Sequence, residues 1–97
     1  MELIITAEAY NDINSISDYI LKDNIQISKS VVDELFNTLY TLTEFPNIGK
    51  YKYGIKDNSV KIFIHKKQYL IAYKIVGNSL IVLRILTNYQ DIFAVLN

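Results

Sequence analysis

Two long apolar segments in the last third of the chain constrain the fold more than any other feature. They run from Tyr69 to Val76 and from Ser79 to Leu86, and Gly77-Asn78 between them favours a tight turn. Strands joined by such a turn pair antiparallel, and strands this apolar belong at the centre of a sheet. The second segment contains a single arginine, Arg84. A buried arginine is costly unless it pairs with another group or reaches a working surface.

The length of the turn decides which face of the sheet Arg84 occupies. A two-residue loop would pair Arg84 with Ile71 and place it on the same face as Tyr73. A three-residue loop would shift the register and place Arg84 on the face of Lys74, where two neighbouring cations would favour contact with an anion. Both registers fit the sequence.

The first half of the chain has helical periodicity. A short apolar strand precedes Thr6, which can cap a first helix. Asp23-Asn24 interrupts the period and offers a second cap, and Pro46 ends a longer second helix. Apolar residues at helical spacing predict the buried faces of an antiparallel helical hairpin. These faces are Ala9, Ile13, Ile16 and Ile20 in the first helix, and Ile27, Val31, Leu35, Leu39 and Leu42, widened by Val32 and Phe36, in the second.

From Lys50 onward the periodicity changes to two. Residues 50–55 and 60–65 alternate like half-exposed strands, separated by turn residues at 57–59, and Lys66-Lys67 supplies the next turn. The predicted order is β-α-α-β-β-β-β. This order indicates an α+β fold in which an N-terminal strand and a helical hairpin pack on an antiparallel sheet. We interpret residues 1–97 as a single domain with one modest core.

The composition argues against several classes of protein. The chain has no cysteine and one histidine, so we expect no metal site, and three isolated glycines form no phosphate loop, so we expect no cofactor. No apolar stretch approaches the roughly 18 residues that a membrane span needs. The N-terminus lacks the basic region of a secretory signal. We therefore expect a cytoplasmic protein without membrane contact.

Charge is divided between the two halves of the chain. Residues 1–48 carry two lysines and eight acidic residues, a net −6, whereas residues 49–97 carry eight basic and two acidic residues, a net +6. The basic half could meet phosphate or an acidic protein. Equally, the two halves could simply attract each other, since charge argues for association and not for a named partner.

Aromatic residues and the single histidine are weaker signals. Tyr51, Tyr53, Tyr69 and Tyr73 fall in predicted strands, where rings on a basic sheet can stack on nucleobases. Packing at the boundary of the core is the favoured interpretation, because the signature of an RNA-reading sheet is absent. His65, at a strand end beside two lysines, is expected to be an exposed turn residue rather than a general base.

Five segments follow one another in an order typical of a known family. They are the opening apolar strand, the helix with Asp12 and Tyr19-Ile20, Phe45-Pro46-Asn47-Ile48-Gly49, Tyr69-Leu-Ile-Ala-Tyr73, and Ile81-Val-Leu-Arg-Ile-Leu86. Together they cover nearly the whole chain, which resembles the RelE/ParE toxin superfamily. The resemblance implies a toxin of a type II toxin–antitoxin (plasmid-stabilisation) module. It also implies a cognate antitoxin, whose C-terminal segment wraps the toxin as helix and strand.

The two branches of this superfamily act differently. ParE-like members poison DNA gyrase by binding it, and RelE-like members cut messenger RNA in the ribosome with basic residues of the sheet. The long helical hairpin, residues 46–49 and the strands at 69–73 and 81–86 are more similar to the ParE branch. The leading hypothesis is therefore a non-enzymatic gyrase inhibitor. The alternatives are a ribosome-dependent mRNA endonuclease and an attenuated toxin that only binds its antitoxin.

The strand exit departs from the family pattern. Thr87 and Gln90 stand where the family often has histidine and arginine, and Lys61 replaces the usual arginine of the third strand. Lysine cannot give a bidentate phosphate contact. The resemblance leaves Lys61, Arg84 and Tyr89 as weak catalytic candidates. The candidates for contact with an acidic and apolar partner are Lys50, Lys52, Lys61, Lys74 and Arg84. A heterotetramer or a larger complex with the antitoxin is compatible with the family.

Overall fold

A computed structural model describes residues 1–87 and 90–97. In chain order its elements are β1 (Glu2–Ile5), α1 (Ala7–Leu21), α2 (Ile25–Glu44), β2 (Lys50–Tyr51), β3 (Lys61–His65), β4 (Tyr69–Val76), β5 (Ser79–Thr87) and α3 (Ile92–Leu96). Within these described ranges the strands form one five-stranded sheet in the order β1-β5-β4-β3-β2. The predicted α+β fold is confirmed. The sheet is mixed rather than wholly antiparallel, because β1 lies parallel to β5, and the sequence did not predict α3.

The hairpin of β4 and β5 forms the centre of this sheet, as predicted. One face of the hairpin packs under the two long helices, where Ile71, Tyr73, Leu80 and Val82 are completely buried. The other face forms a second, smaller apolar cluster, which consists of Ile55, Val60, Ile62 and Ala72 with the half-buried Leu70, Leu83 and Leu96. Residues 55–60 and α3 thus cover the face of the sheet that the long helices do not.

Both predicted helix caps are present. The Thr6 hydroxyl accepts the N–H of Ala9 at 3.1 Å, and the side-chain oxygen of Asn24 accepts the N–H of Ile27 at 3.0 Å. Each bond satisfies a backbone donor that a helix start leaves unpaired. The buried residues of the two helices are mostly the predicted ones: Ala9, Ile13 and Ile16 in α1, and Leu35, Leu39 and Leu42 in α2.

The prediction for Ile27 is wrong, because its side chain is 53% exposed. The buried residue in this turn of α2 is Ser28, whose hydroxyl donates to the carbonyl of Ser17 at 2.9 Å and lies 2.9 Å from the Ser17 hydroxyl. The first turn of α2 therefore meets α1 through small polar side chains. The apolar face of α2 is buried in the core only further along the helix, and Ile27 lies outside the core.

Residues after Pro46 leave the helical layer along a path fixed by Tyr73. The Tyr73 hydroxyl donates to the carbonyl of Pro46 at 2.7 Å and accepts the N–H of Gly49 at 2.9 Å. A Cβ on Gly49 would overlap this hydroxyl, so the close approach requires glycine. Burial raises the pKa of Tyr73 further above neutral pH, where the hydroxyl is protonated and can donate.

Strand β2 is much shorter than predicted. Pairing with β3 ends at Tyr51, and Gly54 adopts a φ of 97° that turns Ile55 into the second apolar cluster. This conformation is accessible to glycine and strained for other residues. Tyr53, predicted to lie in the strand, is outside it and fully exposed.

Replacing Tyr73 with phenylalanine should lower the free energy of unfolding by about 1–3 kcal/mol, because the Pro46 carbonyl and the Gly49 N–H would lose their buried partner. Chemical denaturation measures the change. Tyr10→Phe is the matched control, since the Tyr10 side chain is 48% exposed. Equal stability of the two variants would contradict the clamping role of Tyr73.

Candidate functional site

The position of Arg84 depends on a β-bulge that neither predicted register contained. The turn at Gly77-Asn78 is the two-residue one, but the pairing shifts after Tyr73, and Arg84 lies opposite Ala72 instead of Ile71. A bulge adds one residue to one strand and locally changes the direction of its side chains. The structure thus has the turn of the two-residue register. Beyond the bulge, its strand pairing is that of the three-residue register.

Asp12 of α1 holds the Arg84 side chain. Arg84 Nε donates to Asp12 Oδ2 at 2.7 Å and Nη2 donates to Oδ1 at 2.8 Å, a bidentate arrangement. The Asp12 side chain is only 12% exposed, and that of Arg84 is 28% exposed. The hydrogen bond to Asp12 is the main cause that raises the pKa of the Arg84 guanidinium. Arg84, which would be costly to bury without a partner, is therefore paired, and its role is structural.

Side chains replace a missing strand along the outer edge of β5. Strand β1 pairs with β5 only as far as Val82. Beyond it the Thr6 hydroxyl donates to the Leu83 carbonyl at 3.0 Å, Asp12 Oδ2 accepts the N–H of Ile85 at 2.9 Å, and Gln90 Oε1 accepts the N–H of Thr87 at 2.9 Å. No strand covers this part of the edge among the described residues, yet these backbone groups are satisfied.

A groove of about 940 Å³ opens between the helical hairpin and the ends of β4 and β5. Its helical wall is mostly apolar, and its apolar residues are Ile16, Tyr19, Ile20, Ile27 and Val31. The exposed side chains Tyr19 (75%) and Ile27 (53%) belong to this wall. Asp12 and Arg84 also line the groove, beside the edge of β5. We call this feature the hairpin groove.

The other catalytic candidate that the structure describes, Lys61, is buried. The residue is 8% exposed, its Nζ donates to Asn47 Oδ1 at 2.6 Å, and Nζ lies 5.2 Å from the centre of the Tyr51 ring. Lys61 thus links β3 to the segment after Pro46. The third candidate, Tyr89, lies outside the described residues.

The five predicted partner-contact residues do not form one surface of free cations. Lys74 Nζ lies 3.3 Å from Asp57 Oδ2, while Arg84 and Lys61 are held as described. Lys50 and Lys52 are exposed. They lie in the segment of residues 50–56, which we call the basic–aromatic loop.

The tyrosines divide into two groups. Tyr69 and Tyr73 are buried (8% and 0% exposed), so the prediction of packing at the core is correct for them. It is wrong for Tyr51 and Tyr53, which are 65% and 100% exposed. The strand that was expected to hold these two rings against a neighbour ends at Tyr51.

His65 is not the exposed turn residue that the sequence predicted, because its side chain is only 15% exposed. Its Nδ1 lies 3.1 Å from the Thr38 hydroxyl, and its Nε2 lies 3.7 Å from Glu34 Oε2. Lys66 Nζ donates to the same carboxylate at 2.7 Å, which lowers the pKa of Glu34. The end of β3 is thereby tied to α2 by attraction between the basic and the acidic halves of the chain.

In residues 1–87 and 90–97, no three side chains of metal-ligating type form a cluster. No helix in the same ranges has the length and apolar character needed to cross a membrane.

Comparison with known proteins identifies the family. A family model described as ParE toxin of type II toxin-antitoxin system, parDE, matches residues 3–92. The chain belongs to the ParE toxin family. The resemblance inferred from the sequence is confirmed, and the protein is a ParE-type toxin of a type II toxin–antitoxin system. Membership of this family implies an antitoxin partner.

A solved structure shares the fold of this ParE-type toxin. It is the chromosomal ParDE TA system from P. aeruginosa, with a TM-score of 0.75 and 19% sequence identity, and the match covers 90% of this chain and 95% of that chain. No curated protein sequence matches the chain. At this identity the structural likeness concerns the fold alone.

Replacing Asp12 with alanine should lower the free energy of unfolding of the toxin by about 2–3 kcal/mol. The change leaves a partly buried arginine and the Ile85 N–H without their acceptor, and the exposed part of Arg84 reduces the penalty of a fully buried pair. Thermal or chemical denaturation measures this loss. Asp18→Ala, an exposed acid on the same helix, should change stability by less than about 0.5 kcal/mol. A similarly small effect of Asp12→Ala would show that the ion pair does not hold α1 on the sheet.

Proposed function

We propose that this ParE-type toxin inhibits DNA gyrase by binding it, without catalysing a reaction, and that a cognate antitoxin neutralises it. The observation that supports a non-enzymatic toxin is the state of two catalytic candidates. Arg84 is bound bidentately by Asp12, and Lys61 is buried against Asn47. Cleavage of RNA requires cations and acid–base groups that can reach the phosphate and the 2′-hydroxyl. Neither side chain has that freedom.

A ribosome-dependent mRNA endonuclease is the second candidate function. Lys50 and Lys52 favour it, because both are exposed beside an exposed tyrosine and could contact a phosphate backbone. This activity would require catalytic groups other than the paired Arg84. An attenuated toxin that binds only its antitoxin is the third candidate, since Thr87 and Gln90 replace family side chains at the strand exit.

The antitoxin is proposed to bring apolar and acidic side chains to the toxin. The hairpin groove offers an apolar surface beside the edge of β5, where an added strand would have to displace the side chains that now bond to the backbone. The basic half of the chain, with its net +6, attracts an acidic partner over a longer range. Of the predicted contact residues, Lys50 and Lys52 are the exposed ones, and we retain them as the candidates for direct contact with the protein target.

Induction of the toxin alone separates the three candidate functions. We expect growth arrest with filamentation, loss of gyrase supercoiling activity with purified toxin, and intact transcripts in the same cells. Lys61→Met should retain this toxicity, because a non-enzymatic toxin does not need the ammonium group. Codon-phased transcript cleavage with normal supercoiling would establish the endonuclease instead. Normal growth with both readouts unchanged would leave only the antitoxin-binding role.

The complex with the antitoxin should weaken as salt concentration rises. Salt screens the attraction between the basic half of the toxin and an acidic partner, with a Debye length of about 10 Å at 0.1 M and 3 Å at 1 M. Calorimetry or surface plasmon resonance at several salt concentrations measures the dependence, chiefly in the association rate. An affinity that is flat from low to high salt would contradict electrostatic attraction and leave only apolar contact.

A further inference from the structure

The basic–aromatic loop exposes two aromatic rings that the fold does not use for its core. Tyr53 is 100% exposed and Tyr51 is 65% exposed. Lys50, Lys52 and Lys56, which alternate with or follow these rings, are exposed as well, and residues 50–56 contain no acidic side chain. Two exposed aromatic side chains between exposed cations form a candidate contact surface. Tyrosine is also among the residues that carry most of the binding energy in protein interfaces.

Contacts with the second apolar cluster and with the C-terminal residues hold the backbone of this loop. Ile55 is buried in the second apolar cluster, and the amide of Asn97 accepts the N–H of Lys56 at 2.8 Å and donates to the Gly54 carbonyl at 2.8 Å. The Phe93 ring packs close to Gly54, and Lys52 Nζ lies 5.9 Å from the centre of that ring. The tyrosines therefore project from a loop that is already ordered, so a partner that binds them does not have to order the loop.

The acidic groups near the loop are already committed. Asp57 accepts hydrogen bonds from Ser59 and from Lys74, and these bonds lower the pKa of its carboxyl group. The Asp91 carboxylate accepts the N–H groups at the start of α3. Lys61 lies under the Tyr51 ring and is hydrogen-bonded to a neutral amide. The exposed lysines beside the two tyrosines, Lys50, Lys52 and Lys56, are therefore not the residues that pair with these acids.

We propose that the basic–aromatic loop is the surface through which the toxin contacts an acidic segment of its protein target. This inference rests on the proposed function, in which the target is a protein. Tyr51 and Tyr53 are the anchors, and Lys50, Lys52 and Lys56 supply attraction to the acidic segment. The mixture of aromatic anchors and charge is typical of an interface that forms and dissociates, whereas large apolar contacts are typical of permanent complexes.

The sheet topology separates this surface from the one proposed for the antitoxin. The hairpin groove adjoins β5 beyond its pairing with β1, at one side of the sheet, whereas the loop begins with β2 at the opposite edge. A single-stranded nucleic acid is the less suitable occupant. Its successive bases need a row of aromatic faces, and β2 ends at Tyr51, after which Gly54 turns the chain.

Tyr53→Ser tests the inference with little risk to folding, because this side chain lies entirely in solvent. Purified Tyr53→Ser should need a more than tenfold higher concentration than the wild type for half-inhibition of gyrase (a loss of the order of a hot-spot residue, about 2 kcal/mol, or ~30-fold). It should also cause weaker growth arrest. Its affinity for the antitoxin should stay within about twofold of the wild-type value. Tyr40→Ser, at an exposed tyrosine of α2 (58%), is the matched control and should behave like the wild type in all three assays.

The other possible outcomes would overturn the inference or assign the loop to a different partner. Unchanged potency of both Tyr53→Ser and Tyr51→Ser/Tyr53→Ser would overturn the inference. Equal losses of antitoxin binding and of potency would assign the loop to the antitoxin. Binding of a single-stranded oligonucleotide that depends on Tyr53, or salt-sensitive self-association that depends on it, would assign the loop to nucleic acid or to a second copy of the chain.

The two proposals fail separately. If the wild type arrests growth without inhibiting gyrase, and Tyr53→Ser still abolishes the arrest, then gyrase is the wrong target and the loop is the right surface. If the wild type neither arrests growth nor inhibits gyrase, both proposals are overturned.

Discussion

The carboxylate of Asp12 joins the helical layer to the sheet at the point where the sheet is least complete. It accepts two hydrogen bonds from Arg84 and one from the backbone of Ile85, just past the last residue of β5 that pairs with β1. A charged strand residue with no partner, or an unpaired backbone donor, would each cost stability. One side chain from α1 removes both penalties. The same ion pair lines the hairpin groove between α1 and β5.

Tyr73 plays the corresponding role at the other end of the helical hairpin. Its hydroxyl fixes the chain between Pro46 and Gly49, which sends the following residues into β2 at the edge of the sheet. The basic–aromatic loop begins at that edge. One partly buried and one buried polar contact between the layers thus lie beside the two candidate interaction surfaces. Polar contacts of this kind specify one arrangement of the layers, whereas apolar packing alone tolerates several.

The sequence predicts the features of the fold that local physics determines. Periodicity and capping residues such as Thr6 and Asn24 correctly predict the helices, and Gly77-Asn78 correctly predicts the central hairpin. The sequence did not predict the bulge before Arg84, and the contact that holds the Arg84 side chain there comes from a carboxylate 72 positions away in the chain. The candidate site was predictable only in part for the same reason. Whether a lysine or tyrosine is free depends on partners such as Asn47 or on where a strand stops pairing, and periodicity carries no information about either.

The division of charge between the two halves of the chain affects both the ion pairs within the fold and the charge left on the surface. Some of the basic side chains are paired within the chain: Arg84 meets Asp12 in a partly buried pair, and Lys66 meets Glu34 at the surface. Pairs of this kind contribute orientation more than net stability, because desolvation offsets much of the attraction. The exposed lysines of residues 50–56 have no acidic residue within their own segment. An excess of positive charge that folding does not neutralise is available to attract a second molecule, and in this toxin it lies beside the two tyrosines that the core also leaves uncovered.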